Sequence, residues 1–316
     1  MKRLFQGWML FYSLCVSTIV SGQDVRWIDS TAPPQKRAAF YGTIALHGVA
    51  ATGSWLALYQ SWYADYPRQA FQSANDWNDW NQMDKLGHLW TAYSLARLSS
   101  STWKSAGVST PKADLIGSLS AFGYQSLIEV ADGFSANWGF SWSDFVTNLM
   151  GVNLYLAQQT AWHQQRLQLK VMAYKPYPYE RRLEGRADQL LGRGLLNRLL
   201  NDYNVQTYWI SANIRAFVPK SRLPAWLGFS LGYGSRLMLG RRENRWLSPT
   251  GDPMDRSDIA RYRRFFIAPS VDLTTIRTRS RFVRSVFLLL NTLQLPSPAL
   301  EFSTQGKIRG HLLLLN

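Results

Sequence analysis

The sequence has a single cysteine, Cys15, and only four histidines among 316 residues. Cys15 lies in an apolar N-terminal segment, so a chain cleaved after that segment contains no cysteine. This excludes disulfide bonds, a thiolate nucleophile and cysteine-ligated metal from the processed protein. No HExxH motif and no close histidine pair is present, and no serine-nucleophile elbow is recognised. The familiar signatures of zinc proteases and serine hydrolases are therefore missing.

The N-terminus has an apolar run that is too short for a membrane anchor. Lys2 and Arg3 precede this run, which extends from Trp8 to Val20 and is followed by two small residues. A bilayer needs roughly 20 apolar residues in a spanning helix. The pattern instead predicts a signal peptide over residues 1–22, and so an exported protein of the periplasm or cell envelope. Cys15 follows a leucine, whereas a lipid-attachment site needs a small residue there.

Acidic residues are scarce in the C-terminal half of the chain. Residues 163–316 contain 25 basic and 10 acidic side chains, and 21 of the cations are arginine. Arginine binds phosphate and carboxylate through its forked donors, so an anionic lipid or another anionic envelope component is the expected partner. Export and the lack of a nucleic-acid-binding module disfavour nucleic acid. A solvated basic face without a specific partner is the alternative.

Charged residues are absent from residues 38–64, which are rich in small residues. This pattern fits either a membrane-spanning helix or a wholly buried core helix. Three more helices are predicted, at about 82–101, 113–132 and 142–165. Together these segments predict a bundle of about four apolar helices over residues 23–165.

The hydrophobic period changes in residues 166–316. Leu227–Leu239 places apolar residues at six of seven odd positions, which indicates a β-strand. Similar alternation occurs at Tyr208–Phe217 and Phe265–Leu273, and more weakly near Leu300–Phe302 and Ile308–Leu314. Two segments, Arg186–Tyr203 and Thr278–Leu293, resemble amphipathic helices. The fold class is therefore α+β, with a small antiparallel sheet that packs on the bundle.

Polar residues recur at helical spacing within the apolar N-terminal helices. Asp84 lies one turn before His88, and Asp144 one turn before Asn148. Helix capping by Asn81 and Ser141 is an alternative explanation for the two aspartates, but it does not explain Glu129 or His88. Because isolated buried charges are costly, we expect a shared polar site between helices. Its predicted ligand-binding residues are Asp84, Lys85, His88, Gln125, Glu129, Asp132, Asp144 and Asn148.

These motifs resemble a known family. The sequence contains Asp84-Lys85-x-x-His88, then Glu129-x-x-Asp132-Gly133, then Ser141-x-x-Asp144-x-x-x-Asn148-x-x-Gly151. The ordered set is similar to the YfiM-like exported envelope proteins, whose function is unknown, and more loosely to the VanZ-like membrane proteins. The resemblance covers about residues 80–160. It implies a compact helical bundle with a shared polar site, and it supplies no reaction.

Three functional classes fit these observations. The favoured one is a binding or scaffolding envelope protein whose polar site recognises a head group. The second is a metal-dependent hydrolase of an envelope phosphoester or amide. In that class His88, Glu129 and Asp144 are the catalytic candidates and hold a divalent metal ion, with Asp84 as a further possible ligand. The third is a purely structural envelope partner, in which the polar residues are only caps and core hydrogen bonds.

Overall fold

The computed structural model describes residues 34–64, 67–248 and 250–315, so the predicted signal peptide and Cys15 lie outside the described residues. Within these ranges the chain forms eight α-helices and ten strands. The helices are α1 (Pro34–Leu58), α2 (Met83–Ser105), α3 (Thr110–Gly133), α4 (Trp142–Trp162), α5 (Arg181–Leu191), α6 (Leu195–Asn201), α7 (Ile214–Phe217) and α8 (Arg281–Leu290). The strands are β1 (Ser73–Ala74), β2 (Phe140–Ser141), β3 (Leu167–Met172), β4 (Thr207–Asn213), β5 (Leu227–Arg236), β6 (Arg245–Leu247), β7 (Pro253–Asp255), β8 (Tyr262–Val271), β9 (Ser297–Ser303) and β10 (Ile308–Leu314).

Helices α2, α3 and α4 pack closely around a shared core, which confirms the three predicted helices. Glycines allow this close approach. A methyl group at Gly151 of α4 would overlap the backbone carbonyl of Leu89 in α2, and one at Gly117 of α3 would lie 2.6 Å from the backbone nitrogen of Ser100. The backbones of α3 and α4 therefore lie directly against α2.

Helix α1 begins at Pro34, before the uncharged segment of residues 38–64, and extends through most of it, but the helix is not wholly buried. Phe40 packs on Trp103 of α2, and His47 Nε2 lies 2.8 Å from Ser99 Oγ. Most other side chains point away from the bundle, and Val49 is 72 % exposed. The buried-core interpretation is therefore wrong, because only one side of α1 contacts α2. Among the described residues, no helix has the length and apolarity needed to cross a membrane.

The C-terminal half forms an antiparallel sheet with the strand order β10-β9-β8-β5-β4-β3. Met172 of β3 and Leu314 of β10 belong to opposite edge strands, yet they lie in one buried cluster with Trp209 and Phe266. The sheet is therefore strongly curled, and its two edges approach each other. The predicted antiparallel sheet is confirmed.

The bundle packs on the outer side of β3 and β4. Leu169 of β3 lies in the same cluster as Tyr93 of α2, and the Trp90 indole N–H donates to the Thr292 carbonyl at 3.1 Å. Tyr208 of β4 contacts Met83 at the start of α2. These contacts hold the first turns of α2, where the polar residues begin, against the sheet.

The two predicted amphipathic helices are shorter than expected. The Arg186–Tyr203 segment divides into α5 and α6 because Gly192 and Gly194 adopt φ values of 80° and 86°, which are unfavourable for other residues. Helix α8 lies within the predicted Thr278–Leu293 segment, and Ser280 caps it by accepting from the Val283 N–H.

Candidate functional site

An unusual turn places the first helical residues of the site. Trp80, Asn81 and Gln82 all have left-handed backbone angles, with φ between 51° and 63°. The sheet holds this turn: Tyr233 Oη donates to the Asn81 carbonyl at 2.6 Å, and the Asn81 side chain donates to Ser235 Oγ at 2.8 Å. The Asn81 side chain is thus bonded to the sheet and does not cap α2. Helix capping by Asn81 therefore does not explain the presence of Asp84. Three consecutive non-glycine residues in this region are strained, and the sheet contacts offset that strain.

Lys85 is the central cation of the site. Its Nζ lies 2.8 Å from Asp76 Oδ1, 2.9 Å from Asp84 Oδ2 and 2.7 Å from Asp144 Oδ1. Burial disfavours the ammonium, but the charges of Asp84 and Asp144 outweigh this effect and raise the pKa of Lys85. The side chain is only 3 % exposed, so these carboxylates are its main substitute for water.

Asp76 and its serine partners were not predicted as site residues. Ser141 Oγ and Ser143 Oγ donate to Asp76 Oδ1 at 2.6 and 2.7 Å. Burial opposes ionisation of Asp76, but hydrogen bonds from Lys85 and the two serines lower its pKa well below the usual value. Ser141 also accepts from the Asp144 N–H at 3.0 Å, which confirms the predicted cap of α4.

His88 connects α2 to both neighbouring helices. Its Nε2 lies 3.7 Å from Asp84 Oδ1 and 3.8 Å from Asp144 Oδ1, whereas Nδ1 lies 3.3 Å from Glu129 Oε1. Burial favours the neutral ring, but Asp144, Asp84 and Glu129 together raise the pKa of His88 to about 9. His88 is therefore protonated at neutral pH. Its side chain is 19 % exposed, which makes it the accessible cation of the site.

Beneath His88 lies an amide pair from α3 and α4. Gln125 Nε2 donates to Asn148 Oδ1 at 3.2 Å, and His88 Nδ1 lies 3.2 Å from the same oxygen. Two atoms here have no hydrogen-bond partner in the described protein, Asn148 Nδ2 and Glu129 Oε1, although Glu129 Oε1 has the ionic contact with His88 Nδ1 at 3.3 Å. Asn148 is fully buried and Glu129 is 1 % exposed. Unpartnered polar atoms at such depth are rare and costly in native proteins.

Three carboxyl groups of the site bind protons unusually tightly, and burial raises the pKa of one of them, Asp132, to about 6. Burial is the main cause and raises the pKa of Glu129 to about 8, although His88 opposes the shift. Burial and the nearby charge of Asp84 raise the pKa of Asp144 to about 7. The site thus contains more carboxyl groups than its two cations can neutralise, and it holds protons in their place.

Two tyrosines extend the site beyond the predicted residues. Tyr203 comes from the C-terminal half, and its hydroxyl donates to Asp84 Oδ1 at 2.6 Å. Tyr63, just after α1, donates to Asp132 Oδ1 at 2.6 Å. Asp132 is therefore bound to Tyr63, while the other seven predicted residues lie together around Lys85 and His88. No local sequence pattern links either tyrosine to the helical motifs.

One ring nitrogen and two carboxylate oxygens are placed to hold a cation. The ligand atoms of Asp84, His88 and Asp144 lie within 4.8 Å of one another. Glu129 faces the other ring nitrogen of His88, so Asp84 is better placed than Glu129 to share an ion with His88 and Asp144. Lys85 already bridges the same two aspartates, and its positive charge opposes a second cation there.

Contrary to the expectation from the sequence, one segment outside this site does have the GxSxG pattern of serine hydrolases. Residues 228–232 read Gly-Phe-Ser-Leu-Gly, but Ser230 lies in the middle of β5. It is fully buried and donates to Gln294 Oε1 at 3.4 Å. A nucleophilic serine needs an exposed turn between strand and helix, so Ser230 is not one.

The chain is thus an α+β protein with a buried, carboxyl-rich site between three helices and next to a curled antiparallel sheet. Residues 76–159 match the model of a family described as predicted periplasmic lipoprotein (DUF2279). The match begins at Asp76, contains α2, α3 and most of α4, and includes every site residue except the two tyrosines. It supports an exported cell-envelope protein and assigns no function; the resemblance to YfiM-like and VanZ-like proteins stays a prediction. No curated protein and no solved structure matches the chain.

Proposed function

We propose that this is an envelope binding protein whose inter-helix site takes up a hydroxyl-bearing head group. The observation that carries the proposal is the pair of unpartnered atoms beneath His88. Asn148 Nδ2 can only donate, whereas the Glu129 carboxyl can accept or, when protonated, donate. A hydroxyl group both donates and accepts, so it has the hydrogen-bonding capacity that these two atoms require.

The charges of the site define the ligand further. Lys85 and His88 face five acidic residues, and burial leaves part of this excess protonated. The net acidic site would repel a phosphate group. It would not repel a neutral sugar or an amino sugar. Access is through Asp84 and His88, whose side chains are 18 % and 19 % exposed. The five acidic residues are Asp76, Asp84, Glu129, Asp132 and Asp144.

Saturation-transfer NMR with three sugars tests the proposal. We expect signals in the order glucosamine, glucose and glucose 6-phosphate, with glucosamine strongest. Glu129→Gln should weaken the signal, because the amide cannot gain or lose a proton to match the ligand as the carboxyl group can. Glu301→Gln should leave the signal unchanged. Glu301 is an equally buried glutamate that binds Arg264, away from the site. The strongest signal from the phosphate sugar, or equal loss in both variants, would contradict the proposal.

A metal-dependent hydrolase is the second candidate, and a specific observation favours it. Asp84, His88 and Asp144 present three ligand atoms within 4.8 Å, a spacing that fits a divalent cation. Such a cation would lower the pKa of a bound water and make it a nucleophile. The Lys85 ammonium, which is 2.7 Å from Asp144 Oδ1, makes this candidate the less favoured of the two.

A further inference from the structure

The curled sheet carries a set of apolar side chains on its outside. In β5, Phe229 and Leu231 are 43 % and 50 % exposed, while Ser230 between them is fully buried. The predicted alternation is present, but small and polar residues occupy the inner face. A sheet in water normally shows the opposite arrangement, with apolar residues inside.

The exposed apolar residues form a continuous row across four strands. Ile210 of β4 pairs with Leu231 of β5, Leu231 pairs with Ile267 of β8, and Ile267 pairs with Leu300 of β9. Directly paired residues lie on the same side of an antiparallel sheet. All four are between 37 % and 50 % exposed. We call the surface formed by these four residues and Phe229 the outer face.

The inner face combines the buried apolar cluster around Trp209 and Phe266 with polar groups that pair with one another. Arg264 makes a two-pronged ion pair with Glu301, both bonds being 2.8 Å, and His311 lies 2.7 Å from the same carboxylate. Gln168 Nε2 donates to Asp272 Oδ2 at 2.8 Å. These buried groups fix which side of the sheet faces inward, because turning them to the outside would break the pairs.

One end of this sheet is strongly cationic. Residues 214–226 connect β4 to β5, and residues 273–290 follow β8 and include α8; neither segment contains Asp or Glu. The Asp272 N–H donates to the Trp226 carbonyl at 2.8 Å, which holds the two segments together. We call these segments the cationic end. Its exposed cations are Arg215, Lys220, Arg222, Arg277, Arg279, Arg281 and Arg284.

Exposed aromatic residues lie among these cations. Trp226 and Phe217 are 42 % and 44 % exposed, and Phe282 of α8 is 77 % exposed. The Arg166 guanidinium stacks 4.6 Å from the Trp162 ring and 5.8 Å from that of Phe217. Aromatic rings mixed with arginine and lysine are typical of the zone where a bilayer meets water.

We propose that the outer face docks on a lipid bilayer, with the cationic end at the level of anionic head groups. The apolar row contacts acyl chains, and the arginines bind lipid phosphates. A second copy of the chain is the competing occupant. The bilayer is favoured because the outer face lies next to the cationic end, whose arginines and aromatic residues match anionic head groups. The cationic end of one copy would repel the cationic end of another.

The test uses the otherwise complete chain with Cys15→Ser, so that one introduced cysteine carries an environment-sensitive dye. Leu231→Cys places the dye on the outer face, and Leu247→Cys on β6 is the control at another exposed leucine. Vesicles of phosphatidylglycerol mixed with phosphatidylcholine should increase the emission of the dye at position 231 and not at 247. The increase should decline with added salt.

Charge variants separate docking from unspecific adsorption. Arg215→Gln with Arg222→Gln should weaken vesicle binding by about thirtyfold, since each of the two cations near an anionic surface contributes about 1 kcal/mol. Arg181→Gln with Lys307→Gln removes the same charge from exposed sites outside the cationic end and should change it little. Equal losses in both pairs, or no response at position 231, would overturn the proposal. A response at 231 that needs only higher protein concentration, without vesicles, would assign the outer face to a second copy.

Discussion

The Lys85 ammonium lies 2.7 Å from Asp144 Oδ1 and so joins α2 to α4 through a buried ion pair. The same ammonium lies 2.9 Å from Asp84 and 2.8 Å from Asp76. One cation thus offsets the repulsion of three carboxylates from different parts of the chain. Removing one partner of a buried ion pair costs more than the pair itself contributes, because the remaining charge has no water to replace it.

Lys85→Met should therefore lower the free energy of unfolding by about 3–5 kcal/mol. Urea denaturation followed by circular dichroism measures this. Lys307→Met is the control: Lys307 is exposed and makes no salt bridge in the described residues, so its effect should remain within about 0.5 kcal/mol. Equal effects of the two changes would mean that the Lys85 cluster contributes little to folding.

Protons held by the site make stability decrease with rising pH. Folding raises the pKa of Glu129 from 4.5 to about 8, of Asp144 from 3.8 to about 7 and of His88 from 6.5 to about 9. At these three groups the folded protein therefore binds more protons than the unfolded chain between about pH 4 and 9, and Lys170, whose pKa burial lowers to about 8, opposes them only at the upper end of that range. Linkage then requires the free energy of unfolding to fall as pH rises through this range.

Glu129→Gln removes one of these ionisable groups, and with it its contribution to the pH dependence of stability, while keeping the shape of the side chain. The variant should be more stable than the parent near pH 9, where the parent must ionise a buried carboxyl, and should differ less near pH 5. Melting temperatures at the two pH values measure this. Glu301→Gln should lose stability at both, because the hydrogen bond from Arg264 overcomes burial and holds the pKa of Glu301 at about 2. A variant with the same pH slope as the parent would show that Glu129 ionises normally.

The contact between α4 and α2 depends on a missing side chain. Gly151→Ala should destabilise the protein by about 1–3 kcal/mol, because the new methyl group overlaps the Leu89 carbonyl and forces the helices apart. Gly123→Ala in α3 is the matched control, since no atom lies within 4 Å of its added carbon. That change should stabilise by about 0.5–1 kcal/mol through helix propensity. Chemical denaturation should therefore show a decrease in the free energy of unfolding for Gly151→Ala and an increase for Gly123→Ala.

Helical spacing allowed much of the site to be predicted from the sequence. Residues three or four apart share a helix face, so Asp84 with His88 and Asp144 with Asn148 indicated one polar surface. Tyr203 was not predictable, because it reaches Asp84 through the packing of the sheet on the bundle, 119 residues away in sequence. Asp76 was missed because it precedes the predicted helix at about 82–101 and therefore has no helical spacing to the other polar residues.

Alternation in β5 predicted a strand but not which of its faces is buried. Period-two patterns assign residues to two faces, and the usual assumption places the apolar face inward. Here the inner position belongs to Ser230, and Phe229 and Leu231 are exposed. The choice is fixed by long-range pairs such as Arg264 with Glu301, whose members are 37 residues apart and carry no shared local signal.

Elemental analysis of the purified protein and its variants separates the two functional candidates. The distinction depends on which carboxylates each ring nitrogen of His88 faces. His88 Nε2 faces Asp84 and Asp144, whereas Nδ1 faces Glu129. If the protein is a metal-dependent hydrolase, it should contain near-stoichiometric divalent metal that His88→Ala and Asp84→Asn abolish. Glu129→Gln should keep the metal, because Glu129 is not one of the three grouped ligands. The head-group proposal expects a folded protein without stoichiometric metal, in which Lys85 is the cation that neutralises both aspartates. Metal lost in Glu129→Gln as well would instead place the ion on the Nδ1 side of the ring, next to Asn148.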